Sequence, residues 1–418
     1  MKKTAKKAFV GMSGGVDSSV AAYLLKKQGY DVTGVFLRSY NLDGCAERDA
    51  EDARRVAEHI GIPFYVWDTE EEYKKKVVDY MVRGYARGET PNPDVMCNKE
   101  IKFGIFYEKA LAMGADYVAT GHYVRIRRNS PSRTAVRSLL RRAPAALSAE
   151  NQPPAEPSFS ASESFSQEGS GESYSLLEGT DKNKDQSYFL WTLTQAQLAH
   201  CLFPIGEYEK PEVRRIAKKA GLPTADKKDS QGICFLGMVS IDDFLKNYIK
   251  SERGEVLTVD GRHIGEHEGA AFYTIGQRHG LNLGTKNREL GIKGKTETKP
   301  WYVAGKDVAT NTVVVAEGND NPALYRKEVE IAEVNFIPPE AFSILHSQFS
   351  IPVMARVRYR QPLVPAKLKF QDSRFKIEFD EPVRFVAKGQ SAVFYSRRDP
   401  SFAKASEGRE MLGGGVIV

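Results

Sequence analysis

In the first part of the chain, short apolar runs alternate with longer segments in which apolar residues recur every three or four positions. The short runs predict β-strands, and the longer segments predict amphipathic helices. Because strands and helices alternate, the pattern favours an α/β domain in which helices flank a parallel sheet. The predicted strands are 9–12, 32–37, 64–67 and 117–120, and the predicted helices are 18–28, 46–60, 70–88 and 99–113.

The composition changes abruptly after residue 127. Residues 128–175 are rich in Ser, Pro, Ala and Glu and have almost no β-branched residues. Such a segment cannot bury enough apolar surface to offset the entropy of ordering, so it is predicted to be a disordered insertion. Residues 125–142 hold seven arginines and no acidic residue. They could contact RNA phosphates, although a solvated basic tether is the more common explanation.

The rest of the chain changes from helical to β character. Helices are predicted at 211–220 and 240–249, and many short β-rich runs with turn signals follow from 255 onward, as in a small barrel or sandwich. The predicted domains are an N-terminal α/β domain at 1–127 and 176–205, the insertion at 128–175, a small central domain at 206–254 that carries Cys234, and a C-terminal β-barrel-like domain at 255–418.

A glycine-rich loop, Ser-Gly-Gly-Val-Asp-Ser-Ser at 13–19, separates the first predicted strand from the first predicted helix. The N–H groups at a helix N-terminus bind anions, and adjacent glycines let the backbone approach a phosphate closely. The common ATP loop needs a lysine after its last glycine, and none occurs between Lys7 and Lys26. We therefore predict a different kind of phosphate loop, the alternative being a glycine turn with a serine N-cap.

Two cysteines lie where chemistry is plausible. Cys97 is near the predicted start of a helix, where the helix dipole favours a thiolate, and Asp94 could cap that helix or handle a proton. Cys234 lies two residues after Gly232, in a segment with a polar lead-in. On these residues alone, a structural role remains open for both cysteines. The four cysteines include no C-x-x-C pair, and the seven histidines show no zinc-site spacing, so no metal ligand is assigned.

Composition and charge narrow the classes of protein to which the chain can belong. The chain has 418 residues and a formal net charge of +6 at pH 7, which is too mild to identify a partner. No apolar run approaches the roughly 20 residues of a membrane span, so no membrane partner is expected. Scattered cysteines favour a compartment in which thiols stay reduced, and we expect a cytoplasmic protein.

Several motifs, taken in order, resemble one enzyme family. The segment at 11–18 is similar to the SGGxDS signature of the PP-loop ATP pyrophosphatases. The complete set resembles the bacterial tRNA-specific 2-thiouridylases over nearly the whole chain. The further motifs are at 92–98, 120–123, 184–190, 232–235, 274–278, 301–303, 356–361 and 412–415.

This resemblance implies ATP-dependent 2-thiolation of the wobble uridine in tRNA anticodons. The uridine C2 oxygen is adenylated, and sulfur is then transferred from a cysteine persulfide with release of AMP and pyrophosphate. The implied cofactors are ATP and Mg²⁺, which would neutralise the pyrophosphate leaving group. The implied partners are the anticodon stem-loop of tRNA and a cysteine desulfurase or sulfur-relay protein.

The resemblance also assigns roles to residues. It implies that Cys97 is the nucleophile, Cys234 carries the persulfide, and Asp94 is the candidate acid or base. Leu37 stands where the family usually has Met, a tolerable apolar exchange. The implied nucleotide contacts are Gly11, Met12, Ser13, Gly14, Gly15, Val16, Asp17, Ser18, Leu37 and Gly121. The implied tRNA contacts are Asn92, Pro93, Asp94, His122, Lys184, Asp185, Gln186, Arg358, Tyr359 and Gln390.

Two other functions fit part of the sequence. A PP-loop ligase or amidotransferase acting on a small molecule would use the glycine loop, but it would need neither Cys97 nor Cys234. A tRNA-binding protein without catalysis would need neither the loop nor the cysteines. The ordered set of motifs favours the thiouridylase interpretation.

Overall fold

The fold is seen in a computed structural model of the chain. Cys234 and residues 130–171 lie outside the part of the chain that the structure describes. The described residues are 5–39, 44–129, 172–229, 239–283, 299–397 and 408–418.

A five-stranded sheet forms the N-terminal domain. Its strands are β1 (Lys7–Gly11), β2 (Asp31–Arg38), β3 (Phe64–Asp68), β4 (Tyr117–Ala119) and β7 (Cys201–Leu202). They pair in the order β3-β2-β1-β4-β7, and every pair is parallel. Ala8, Phe9 and Val10 of the central strand are all buried, as expected for a strand covered on both faces. The predicted parallel α/β domain is confirmed.

Helices cover this sheet, and two of the helical stretches contain π-helical turns. The stretch that carries Cys97 begins at Pro93, six residues before the predicted start at 99. Asn92 caps it, because the Asn92 side chain accepts a hydrogen bond from Val95 N–H at 3.2 Å, and proline suits the first helical position. The helices are α1 (Val16–Lys27), α2 (Cys45–Ile60), α3 (Glu70–Tyr73), a π-helix (Lys74–Val78), α4 (Asp79–Ala86), α5 (Pro93–Met96), a second π-helix (Cys97–Phe106) and α6 (Tyr107–Ala112).

The two ends of the predicted insertion are ordered. Strand β5 (Val124–Asn129) pairs antiparallel with strand β6 (Ser173–Glu178). Residues 128–129 and 173–175 therefore belong to a hairpin, contrary to the prediction of disorder from 128 to 175. Composition alone did not reveal the pairing because each strand finds its partner more than 40 residues away along the chain.

The helices that follow belong to different cores. In α8 (Lys210–Lys219), Val213 and Ala217 share a buried apolar cluster with Val20 of α1. In α9 (Ile241–Leu245), Phe244 belongs instead to the cluster that includes Tyr73 and Cys97. A short helix, α7 (Gln195–Leu198), precedes them, and 3₁₀ turns occur at Ser187–Leu190, Ala270–Phe272 and Pro322–Leu324.

The C-terminal β region forms two separate sheets. The first has the strands β8 (Gly254–Thr258), β9 (His263–His267), β10 (Asn282–Leu283), β11 (Trp301–Asp307) and β12 (Thr312–Glu317), in the order β10-β9-β8-β12-β11. The second is a closed barrel of β13 (Tyr325–Phe336), β14 (Ser350–Arg356), β15 (Val364–Gln371), β16 (Arg374–Arg384), β17 (Ser391–Ser396) and β18 (Met411–Ile417), with α10 (Pro339–Gln348) between β13 and β14. The predicted C-terminal barrel is confirmed, but it consists of β13–β18 alone and does not include the strands from 254 to 317 that the prediction of one domain at 255–418 had joined to it. No helix within the described ranges is long and apolar enough to cross a membrane.

Candidate active site

The glycine loop joins the end of β1 to the start of α1 and is held by its own hydrogen bonds. Ser13 N–H donates to Ser18 Oγ at 3.1 Å, and the Ser19 hydroxyl donates to the Gly15 carbonyl at 2.8 Å. Gly15 is the N-cap of α1 in an extended conformation, and no side chain caps the helix. The first N–H groups of α1 thus form a candidate site for an anion, as the sequence predicts.

Two glycines allow close backbone approaches around this loop. Gly14 has a φ of +72°, and a Cβ added there would lie 2.2 Å from the carbonyl oxygen of Asp49. A Cβ added at Gly121, just after β4, would lie 2.7 Å from Ser18 N. Leu37 is partly buried at the end of β2. The sequence-predicted nucleotide contacts therefore meet at the carboxyl ends of parallel strands, where ligands of such sheets bind.

Asp17, the second residue of α1, is contacted by two residues that are distant in sequence. The Tyr123 hydroxyl donates a hydrogen bond to Asp17 at 2.6 Å, and Lys210 Nζ lies 2.8 Å from both carboxylate oxygens. Lys210 is only 8% exposed. A lysine 193 residues further along the chain thus reaches a loop whose own sequence has none.

Asp229 extends this ion-pair cluster. Its carboxylate lies 2.8 Å from Lys210 Nζ, 2.8 Å from Lys184 Nζ and 2.7 Å from Arg214 Nη2. Burial alone would raise the pKa of Asp229. Hydrogen bonds from Lys184 and Lys210 lower this pKa by more than burial raises it, so the carboxylate stays ionised at neutral pH. Lys184, a predicted tRNA contact, is paired with protein in this structure.

Cys97 lies one turn inside its helix and is 5% exposed. Burial raises the pKa of the thiol, the positive charge of Lys102 and a hydrogen bond with Tyr73 lower it, and Asp94 raises it. The net pKa shift is upward, so the thiolate expected from the helix dipole is not favoured in this state, because desolvation of the charge prevails. Asp94 does not cap the helix, since Asn92 does so. Burial also raises the pKa of the Asp94 carboxyl, which suits a group that takes up and returns a proton.

The C-terminal part of the helical stretch that carries Cys97 packs against the end of β1 and the segment after β4. A Cβ added at Gly11 would lie 3.4 Å from Phe106, and the Phe103 ring lies 6.1 Å from the His122 ring, next to Gly121. The helical stretch and the loop therefore border the same sheet, while Cys97 itself belongs to the apolar cluster of Tyr73 and Phe244.

His122 lies in a buried aromatic environment. Its Nδ1 lies 2.7 Å from Thr120 Oγ1, and its ring lies 6.1 Å from the Phe203 ring. Burial lowers the pKa of His122 well below its ordinary value, and the charge of Lys102 lowers it further, so the ring is neutral. Its tRNA contact stays a prediction, and such a contact would need a change in this packing.

The other predicted tRNA contacts lie mainly where the N-terminal domain meets the C-terminal sheets. Arg358 and Tyr359 follow β14 at a bend and a turn. Arg358 Nη2 donates to the Ile275 carbonyl at 2.8 Å, and the Tyr359 ring lies 4.4 Å from Phe189. Gln390 Nε2 donates to the Thr90 carbonyl at 2.9 Å, close to Asn92 and Pro93. Gln186 accepts a hydrogen bond from Tyr123 N–H at 3.0 Å.

Asp185 has a structural partner in the barrel. It is 3% exposed and lies 3.0 Å from Arg356 Nη2 in a buried ion pair. We expect Asp185→Asn to reduce the free energy of unfolding by about 3–5 kcal/mol, because the Arg356 charge would stay buried without a counter-ion. Urea unfolding followed by circular dichroism measures this loss.

The matched control for Asp185 is Glu330→Gln in the exposed pair with Arg374, where the two side chains are 34% and 64% exposed. That change should cost less than about 1 kcal/mol. Equal stability of the two variants would show that the Asp185–Arg356 pair does not hold the domains together.

Comparison with known proteins agrees with this architecture. The tRNA-specific 2-thiouridylase MnmA of Lactococcus lactis subsp. cremoris (strain MG1363) is 41% identical over 415 residues, which cover 98% of this chain and 93% of that protein. The chain belongs to the tRNA-specific 2-thiouridylase family. The protein of that name from Shigella flexneri serotype 5b (strain 8401) is 42% identical over 424 residues, with coverage of 100% and 98%. The resemblance seen in the sequence is confirmed.

Three domain families match successive parts of this thiouridylase, in the order of the N-terminal domain and the two C-terminal sheets described above. The tRNA methyl transferase HUP domain matches residues 6–144 and 160–238, the tRNA methyl transferase PRC-barrel domain matches 242–317, and the Aminomethyltransferase beta-barrel domain matches 326–417. Among solved structures, NMN synthetase from Francisella tularensis aligns with a TM-score of 0.28 and 16% identity over 54% of this chain and 67% of that one.

Four residues near the candidate site were not predicted from the sequence, namely Lys102, Tyr123, Lys210 and Asp229. The charge of Lys102 acts on Asp94, Cys97 and His122 alike. It follows Cys97 by five residues, which is the hydrogen-bonding interval of a π-helix and not of an α-helix. The only sequence signal for Lys210 and Asp229 was the absence of a lysine from the loop.

Proposed function

We propose that this protein replaces the C2 oxygen of the wobble uridine in tRNA anticodons with sulfur, using ATP. The observation that carries the proposal is that the glycine loop and the helical stretch of Asp94 and Cys97 border the same sheet, where that stretch packs against the end of β1. The tRNA substrate is inferred from the family relatives, whose names describe tRNA-specific 2-thiouridylases.

The loop suits the polyphosphate of ATP. Backbone N–H groups of α1 and the hydroxyls of Ser13 and Ser18 would bind the phosphates, and Gly121 would leave room beside them. Within the described ranges, no cluster of three or more His, Cys, Asp or Glu residues could hold a metal by itself. The carboxylate of Asp17 fits Mg²⁺, which proteins bind through one or two carboxylates together with substrate phosphates. When bound, Mg²⁺ would neutralise charge on the leaving pyrophosphate.

The chemistry is proposed to follow two stages. The uridine C2 oxygen bonds to the α-phosphorus of ATP and pyrophosphate leaves, while Asp94 takes the proton that the base loses. The outer sulfur of a persulfide on Cys234 then bonds to C2, and AMP leaves. The Cys97 thiolate attacks the Cys234 sulfur, so the persulfide S–S bond breaks, the sulfur stays on C2, and a disulfide joins Cys97 and Cys234. A thiol reductant returns both cysteines to thiols.

Burial of Cys97 has a role in this scheme. A thiol whose pKa is raised stays protonated and protected until tRNA and the persulfide arrive. The nearby Lys102 charge would then stabilise the thiolate as it forms. A cysteine desulfurase or sulfur-relay protein is the proposed donor, and the cytoplasm is the proposed compartment.

The direct test combines purified protein, unmodified tRNA, ATP, Mg²⁺, a cysteine desulfurase and cysteine. Mass spectrometry of the digested tRNA should show 2-thiouridine at the wobble position only when ATP is present. A transcript with cytidine at that position should stay unmodified. Consumption of ATP without sulfur in the tRNA, even with alternative relay proteins, would favour a PP-loop enzyme that acts on another substrate.

A further inference from the structure

The phosphate loop contains one acidic residue, Asp17, and no basic residue. A triphosphate on this loop would face one carboxylate and several neutral donors, so a cation must come from elsewhere for tight binding. We propose that Lys210 is this cation and contacts the polyphosphate of ATP. The inference rests on the proposed ATP-dependent function and names a residue for it.

The position of Lys210 supports this role. It is the first residue of α8, and its backbone N–H donates to Asp181 at 3.0 Å. Its side chain then runs to the second residue of α1, where Nζ lies 2.8 Å from each oxygen of Asp17. The N–H groups at this end of α1 are those that would bind phosphate. A phosphate on the loop would therefore lie next to the Lys210 ammonium group.

The partners of Lys210 allow it to turn toward a phosphate. Asp229 keeps Lys184 and Arg214 as counter-ions when Lys210 leaves it. Asp17 keeps the hydrogen bond from Tyr123. The carboxylate of Asp17 would at the same time become available to Mg²⁺. The ammonium group can thus turn to a phosphate while the partly exposed carboxylates of Asp17 and Asp229, with 32% and 31% exposure, each keep a hydrogen-bonding partner.

The test compares Lys210→Met with Arg215→Met. Both residues belong to α8, but Lys210 contacts Asp17 and Asp229, whereas Arg215 is exposed and pairs with Glu212. Isothermal titration calorimetry with ATP and Mg²⁺, without tRNA or sulfur donor, measures the effect. Lys210→Met should bind ATP more weakly than the wild type by about tenfold or more, which is the loss expected for a charge-assisted hydrogen bond. Arg215→Met should bind ATP within about twofold of the wild type. Equal affinity of Lys210→Met and wild type would overturn the assignment.

Two further measurements separate the possible failures. Wild-type protein that binds no ATP would contradict the proposed function itself, whereas wild-type affinity in Lys210→Met contradicts only the role of Lys210. Thermal unfolding shows whether each variant is folded. Lys210→Gln keeps a hydrogen-bond donor near Asp17 without the charge, and it should also lose about tenfold in ATP affinity. Retained affinity in a folded Lys210→Gln protein would likewise overturn the proposal.

Discussion

Cys97→Ala is expected to reduce the rate of 2-thiouridine formation by about a thousandfold or more, as removal of a covalent nucleophile does. In the proposed reaction, the Cys97 thiolate forms the disulfide with Cys234 that releases the outer sulfur to the base. ATP binding should persist, because the thiol belongs to the neighbouring helix and not to the phosphate loop. The rate is measured by quantifying 2-thiouridine over time with saturating tRNA and ATP.

Cys201→Ala is the matched control for this variant. Cys201 is also a free, buried cysteine, with 3% exposure and a pKa raised by burial, and it lies in an apolar core. Its replacement should cost about 1–2 kcal/mol of stability and leave the rate within about twofold of the wild type. Turnover in Cys97→Ala at the Cys201→Ala rate would refute the nucleophile role.

Gly14→Ala is expected to weaken ATP binding by about a hundredfold or more, because the loop must move away from the geometry that directs its N–H groups at phosphate. The residue has a φ of +72°, and the added Cβ would lie 2.2 Å from the Asp49 carbonyl oxygen, so strain and collision act together. That oxygen belongs to the backbone of α2 and cannot rotate away. Calorimetry with ATP and Mg²⁺ measures the loss.

Gly29→Ala is a control that introduces backbone strain at a positive φ without a steric collision of the added Cβ. Gly29 lies just beyond α1 with a φ of +88°, and nothing lies within 4 Å of the added Cβ. It should cost about 1 kcal/mol of stability and leave ATP affinity unchanged. Equal ATP affinities in the two alanine variants would show that the close contact between Gly14 and α2 does not shape the phosphate site.

Local signals determined most elements of the fold. The alternation of apolar runs and helical periodicity was sufficient for the parallel sheet, because each element buries its own apolar face. The barrel followed from short strands with turn signals. The start of the Cys97 helix was missed at Asn92 and Pro93, although a capping residue followed by proline is a local signal. The β5–β6 hairpin was missed because its strands are joined through residues whose composition predicts disorder.

The sequence by itself determined the family and indicated the candidate phosphate loop and the candidate cysteines, because these are strings of adjacent residues whose chemistry is visible in one dimension. Only the tertiary structure decided their environment. The pairing of Lys210 with Asp17 spans 193 residues, and the upward pKa shift of Cys97 results from burial by residues of other elements. Distances and desolvation depend on which segments pack together, and no local pattern contains that information.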